Sequence, residues 1–505
     1  MNPLDRCTEC EEIELARVRD VPPSQTMPVP NAALAGFPEG RDRSGLTRRR
    51  LMAAGMAGVA AIYGPKALGW DEVWESVAQA TVTPQNCLVV VYLAGGNDGL
   101  NTLVPMQSAD YGYYASKRPL IHRLRNTPSA GGRVGSVALP GLAGTDLGWA
   151  SVGVSSTGGG DNGDASFGFD KLYGDGTGGA GSDLAIMPAV DYLPGSLSHF
   201  DSSDHWFNGS LGATTTGWLG RWIDRNGSPT NPLQAVSLDT ALSKSIRTSV
   251  NPVCAIDTLT GLGFSLTSNG GYGTSSYGGV STPDAGVTSQ ISALAQTAAG
   301  NVQLQRTRAA FAQAAAVYTT GNGLASQALG TGYPANSQLS TKLKQAALLL
   351  DAGLGTRIIT IHWGAFDTHG NQLEGQDPQL AELSRALGAF KADLATRGIE
   401  QNVSTLVFSE FGRRVAENGS GTDHGAGGLM MAMGSQVRGG YAAPFPGCSG
   451  AAALDGYGNL MVPTDFRSVY QTVLDEWLGD DPEAIIPGGP YPTLARPDGQ
   501  PALFH

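Results

Sequence analysis

Thiols are scarce in this chain, with five cysteines in 505 residues. Cys7 and Cys10 form a C-x-x-C pair, but no second Cys/His pair stands near them to complete a zinc site. Cys87, Cys254 and Cys448 allow at most one bridge, which excludes a disulfide framework and leaves stability to a hydrophobic core. No apolar run reaches the roughly 18 residues of a membrane span. Basic residues are outnumbered, 32 against 44 acidic, for a net charge of −12. Residues 1–80 hold 11 of the acids and 9 of the bases, so the remainder carries −10. A net acidic surface argues against nucleic acid and anionic lipid as partners. Two nucleotide motifs are also missing. Gly95-Gly96-Asn97-Asp98-Gly99 lacks the G-x-G-x-x-G spacing and the G-K-[ST] ending of a phosphate loop. Ser198 is not framed as G-x-S-x-G, which argues against an ordinary α/β-hydrolase.

What the N-terminus does contain is an export signal. Thr47-Arg48-Arg49-Arg50-Leu51-Met52 matches a twin-arginine pattern, and an apolar stretch of 14 residues follows from Leu51 to Gly64. That stretch is too short and too rich in Gly and Ala to span a bilayer stably. Ala78-Gln79-Ala80 supplies the small-x-small pattern read by a signal peptidase. The expectation is a leader over residues 1–80, handled by the twin-arginine export machinery, and a periplasmic or extracellular mature chain starting near Thr81.

Residues 81–505 are long enough for one large α/β domain or two ordinary ones, and a single domain is expected. Glycine, 71 residues in all, concentrates near 131–181 and 268–279, and both stretches read as loop insertions. Asp161, Asp164, Asp170 and Asp175 lie in the first of these without a GGxGxD repeat, so they too read as loop. Apolar, β-branched runs at Leu88–Leu93, Leu184–Met187, Ile358–Ile361 and Thr405–Phe408 read as buried strands. Helical periodicity covers Val302–Tyr318, Leu339–Leu354, Leu380–Ala395 and Phe466–Leu478. The pattern predicts an α/β fold with a largely parallel central sheet and helices on both faces.

In such sheets ligands bind beyond the carboxyl ends of the strands. Those positions hold Asp98, then the segment Gly195–Phe200 with Ser198, then Asp367 and His369, then Glu410 and Arg413, and finally His424. Carboxylates and imidazoles without thiolate form the ligand set of zinc, manganese, magnesium or calcium. Each residue also has a structural reading. Asp98 serves equally as a turn residue bonded to its own backbone, and Ser198 as a helix N-cap. Ser198 at a helix N-terminus also offers free amides to an anionic ester. Arg413 reads either as a bidentate clamp for an anionic oxygen or as a solvated charge.

The segments LVVVYLAGGNDGLNTLVP, SHFDSSDHW, TGWLGRWID, FDTHGNQ, SEFGRR and TDHG, in this order over roughly Gln85–Gly479, resemble the bacterial family labelled domain of unknown function 1501. That family is similar to the alkaline phosphatase superfamily. The resemblance implies an alkaline-phosphatase-like domain in which Asp98, Asp367, His369, Glu410 and His424 hold divalent metal and Ser198 is the nucleophile. Phe411 stands where the superfamily pattern has a histidine, and Asp367 and His369 are closer than in that pattern. Two functions are therefore expected. One is a metal-dependent hydrolase of phosphate or sulfate esters acting on a small anionic substrate. The other is a non-catalytic secreted metal- or ligand-binding protein that retains the fold.

Overall fold

The computed structural model describes residues 61–63, 85–259 and 330–505, apart from short breaks at 128, 131–132, 141–146, 180, 258, 493, 495 and 498–502. The twin-arginine segment, the cleavage site, the helix expected over 302–318 and the Gly/Ser stretch 268–279 lie outside the described residues. Among the described residues no helix is long and apolar enough to cross a membrane.

The strands are β1 (Ala61–Tyr63), β2 (Cys87–Leu93), β3 (Leu103–Pro105), β4 (Ser136–Ala138), β5 (Leu147–Ala150), β6 (Leu184–Asp191), β7 (Ala235–Ser237), β8 (Val253–Ala255), β9 (Ile358–Trp363), β10 (Val403–Phe408), β11 (Gly412–Glu417), β12 (Thr422–Gly425), β13 (Gly428–Met433), β14 (Gly440–Tyr441) and β15 (Thr464–Asp465). Ten of them form one sheet in the order β1-β8-β7-β9-β2-β10-β13-β6-β14, with β15 also pairing β6. The fold is α/β, and the sheet is mixed. Strands β8, β7, β9, β2 and β10 pair in parallel, as do β14 and β15 with β6. Strand β13 is inserted antiparallel between β10 and β6, and β1 adds antiparallel to β8. The sequence GLMMAM of β13 gave no strand signal, because methionine fills a buried strand position without the β-branching that marks one.

Four apolar runs become the central strands β2, β6, β9 and β10. All seven residues of β2 are buried, because Val89 and Val91 face one core while Leu88 and Val90 face the other. A strand covered on both faces loses the alternation of a half-exposed one, which is why it reads as a continuous apolar run. Each such side chain contributes about 1.5–3 kcal/mol by leaving water. The helices Gln338–Asp351 and Gln372–Arg397 pack on the first face, and Phe466–Thr472 on the second.

The segment 131–181 is not the plain loop insertion that its composition predicts. Strands β4 and β5 join β3 in a separate three-stranded sheet, and a short helix forms over Phe169–Tyr173. Trp149, Phe169, Leu172 and Tyr173 bury themselves in the main core, and the rings of Trp149 and Phe169 stack at 4.7 Å. A few large side chains at irregular spacing carry this burial, so no periodicity announces it. The aspartates of this segment accept from nearby donors: Asp161 from the Ser129 and Ser151 hydroxyls, Asp164 from Ser166 N and Phe167 N, Asp170 from Ser155 N and Asp175 from Thr177 N.

Asp191 closes β6 inside the core, where it accepts from Gly427 N and Tyr192 N, each at 3.0 Å. Burial, with Asp465 as a nearby like charge, pushes its pKa up to about 8 despite those two hydrogen bonds. The folded state therefore keeps a proton that the unfolded chain releases near pH 4. Its contribution to stability is greatest below about pH 4 and is lost as pH rises towards 8. Melting temperatures measured from pH 5 to pH 8 should fall more steeply for wild type than for Asp191→Asn. Parallel curves would refute an ionisable Asp191.

Candidate metal centre

The centre lies beyond the carboxyl ends of β2, β9 and β10, where a two-stranded ribbon of β11 and β12 closes over it. Gly95 and Gly96 turn the chain after β2 at φ +110 and +77. A Cβ on Gly95 would stand 2.4 Å from Asp367 N, and one on Gly96 would stand 2.3 Å from the Phe411 ring. Only glycine lets this backbone pass so close. Gly95 N then donates to Glu410 Oε1 at 2.9 Å.

His199 opens the helix His199–Asn208, and its Nδ1 lies 2.7 Å from Glu410 Oε1. His199 Nε2 is buried without a hydrogen-bond partner, with Asp367 Oδ2 at 3.5 Å. Asp367 follows β9, and its Oδ1 lies 3.0 Å from His369 Nε2 and 3.1 Å from His424 Nε2. The Nε2 atoms of His369 and His424 are themselves 3.0 Å apart. His424 sits on β12 opposite Arg413, and its Nδ1 lies 2.8 Å from the Leu197 carbonyl. His369 Nδ1 faces Asp423 Oδ1 at 3.4 Å. Phe411 packs its ring against His199 and His424, with centroids at 4.9 and 4.5 Å.

Charge in this space is tightly balanced. Burial would lower the pKa of His199, but Asp367 and Glu410 beside it push it up to about 9. For His424 burial prevails and the pKa falls. Burial would raise Asp367, yet the three imidazoles and Arg413 hold it far below the usual carboxylate range.

Among the described residues, His199, Asp367 and His424 form the group able to hold a metal ion, with one ligand atom from each within 4.8 Å of the others. Two of the three, Asp367 and His424, were expected from the sequence. His369 adjoins them as expected. His199 has no sequence signal of its own, because it stands in SHFDSSDHW as the first helical residue after the N-cap Ser198 and not directly after a central strand.

The other expected residues have different surroundings. Asp98 caps the helix Gly99–Thr102 by accepting from Leu100 N and Asn101 N, and it pairs with the buried Arg118 at 2.5 Å and Gln372 Nε2 at 2.6 Å. None of its partners is a member of the metal group, and its turn-forming role is the one the structure shows. Glu410 is buried behind His199 and does not belong to the group of three. Ser198 is the N-cap of its helix, accepting from Asp201 N at 3.4 Å. Arg413 is fully buried and not a solvated charge. Its Nε donates to Gly96 O, its Nη1 to Thr422 O, and its Nη2 to Gly95 O, Phe366 O and Asp367 Oδ1. Its guanidinium thus braces the glycine turn and orients Asp367, a site for which a planar fork of donors is suited.

Fold and site together define an α/β protein with a cluster of imidazoles and a carboxylate, among them a group of three able to hold a metal ion. Residues 346–485 match the family described as "Protein of unknown function (DUF1501)". The match includes FDTHGNQ, SEFGRR and TDHG, whereas the three earlier segments lie before it. Among curated proteins none matches the chain.

Proposed function

We propose that the chain is an exported, metal-dependent hydrolase of phosphate or sulfate esters, with an alkaline-phosphatase-like arrangement of its sheet and site. The observation that supports this best is the convergence of His199, Asp367 and His424 at the strand ends, with Ser198 as the N-cap directly before His199. The residues fit a metal because buried His199 Nε2 has no hydrogen-bond partner and faces the Asp367 carboxylate. A divalent ion bound there would stabilise charge on the transferring group. Leu197 holds His424 through its carbonyl, and His199 follows Ser198 directly. The turn that carries the hydroxyl is therefore fixed to two of the ligands. Ser198 Oγ attacks phosphorus or sulfur, its proton leaves with the departing alcohol, and water then releases the acid from the serine. The N-terminal end of the helix His199–Asn208, its positive dipole end, would favour an anion bound beside Ser198.

A screen of aryl phosphates and aryl sulfates, with protein stripped of metal and then reloaded, tests this reading. Hydrolysis that appears only after reloading supports it, and none on any ester rejects it. The second reading is a secreted metal-binding protein without catalysis. Arg413 favours it, because its guanidinium is engaged by protein acceptors and does not reach out to clamp an anion.

Export is proposed on the strength of Arg48 and Arg49. Changing both to Lys should trap a longer precursor inside the cell, as judged by immunoblot of cell fractions. Normal secretion of the double variant would refute the assignment.

A further inference from the structure

We propose that Glu410 is a positioning residue for His199 and not a ligand, and that the centre takes one borderline transition-metal ion through Nε2 of His199, His369 and His424 and the Asp367 carboxylate. This rests on the metal-centre reading above and specifies its ligands, its metal class and its stoichiometry.

The direction of each imidazole carries the inference. A carbonyl only accepts, so His424 Nδ1, at 2.8 Å from Leu197 O, bears the hydrogen and Nε2 presents its lone pair. The carboxylate of Glu410, 2.7 Å from His199 Nδ1, keeps a hydrogen on that nitrogen, so Nε2 is the nitrogen that would give up its proton when a metal ion binds. Asp423 Oδ1 faces His369 Nδ1 at 3.4 Å from the outer side without a hydrogen bond, while His369 Nε2 lies 3.0 Å from Asp367 Oδ1. All three inner nitrogens then converge on Asp367, two of them at 3.0 and 3.1 Å from Oδ1 and the third at 3.5 Å from Oδ2. Outer acceptors that fix ring orientation and tautomer are the usual support of metal-bound histidines.

Glu410 is engaged on the far side of His199. Its Oε1 already accepts from Gly95 N as well as from His199, its backbone carbonyl accepts from the Ser202 hydroxyl, and its Oε2, buried without a hydrogen-bond partner, is not among the ligand atoms that converge with Asp367 and His424. The Phe411 ring, packed on His199 and His424, offers no ligand atom for a second ion. Three imidazole nitrogens and one carboxylate suit zinc, cobalt or manganese. Calcium and magnesium prefer six or more oxygen ligands.

The full-length protein, stripped by chelator, should be titrated separately with Zn²⁺, Mn²⁺, Mg²⁺ and Ca²⁺ by calorimetry, and with Co²⁺ by visible absorption. Wild type should bind one zinc per chain, with Mg²⁺ and Ca²⁺ failing to compete at millimolar concentration. Glu410→Gln, nearly isosteric and able to accept from Nδ1, should keep that stoichiometry while affinity falls about 10- to 100-fold. His369→Ala should shift and weaken the cobalt bands, as removal of a ligand does. Thermal melts identify any variant that fails to fold, and Glu410→Asp then replaces Glu410→Gln. Two ions per chain in wild type, complete loss of binding in folded Glu410→Gln, an unchanged cobalt spectrum in His369→Ala, or calcium binding as tight as zinc would each overturn the proposal. A wild type that binds one zinc but hydrolyses no ester supports the proposal while rejecting the hydrolase. A wild type that binds no metal overturns both.

Discussion

Ser198→Ala is expected to lower ester turnover by several powers of ten while the melting temperature falls only slightly. The hydroxyl accepts from Asp201 N at 3.4 Å, a long bond, so its loss as a cap costs about 1 kcal/mol or less. The chemical role proposed for it above is different in kind. Without Oγ no covalent intermediate forms, and only the slower direct attack of water remains. The two roles separate cleanly because His199, and the Leu197 carbonyl that holds His424, are unchanged by the substitution. Metal content should therefore equal that of wild type. The assay compares the two proteins on the ester found by screening, with melts and elemental analysis alongside. Retained turnover at equal stability would remove Ser198 from the mechanism and point to direct attack by water.

Asp98→Ala should destabilise the fold by about 3–5 kcal/mol, the usual cost of breaking a buried ion pair from one side. Arg118 is fully buried and reaches Asp98 Oδ2 at 2.5 Å, Asn101 Oδ1 at 2.8 Å, and the carbonyls of Val415 and Arg414, both at 2.8 Å. It thereby ties the turn after β2 to β11. Removing the carboxylate leaves the guanidinium with carbonyl partners but no compensating charge, and it also uncaps the helix Gly99–Thr102. Denaturant unfolding gives the magnitude, and metal content per folded chain should not change. A loss below about 1 kcal/mol would mean that the pair contributes little. Loss of metal at unchanged stability would restore Asp98 to the ligands.

The contrast between Asp98 and Glu410 shows where the sequence stops being informative. Both are acids just past a central strand, and both read as ligands by position. Asp98 meets Arg118 and Gln372, which are 20 and 274 residues away along the chain, and so becomes structural. Glu410 meets His199 across 211 residues and stands behind it. Arg413 read as a clamp or a solvated charge, yet it is enclosed by the carbonyls of the Gly95–Gly96 turn. Asp367 and His424 come together with His199 in one group able to hold a metal ion, in keeping with their strand-end positions.

The sequence by itself determined the central strands β2, β6, β9 and β10, the helical stretches 339–351 and 380–395 within the helices Gln338–Asp351 and Gln372–Arg397, and the strand-end segments in which Asp367 and His424 stand. These follow from local physics, since apolar runs and helical periodicity are properties of neighbouring residues. Tertiary structure alone decided that β13 runs against its neighbours, that Trp149 and Phe169 anchor a glycine-rich segment, and that His199 joins Asp367 and His424. It decided as well which nitrogen of each imidazole faces inward. A ligand is defined by where its lone pair points, and that direction is set by acceptors such as the Leu197 carbonyl and Glu410, more than 200 residues distant in the chain.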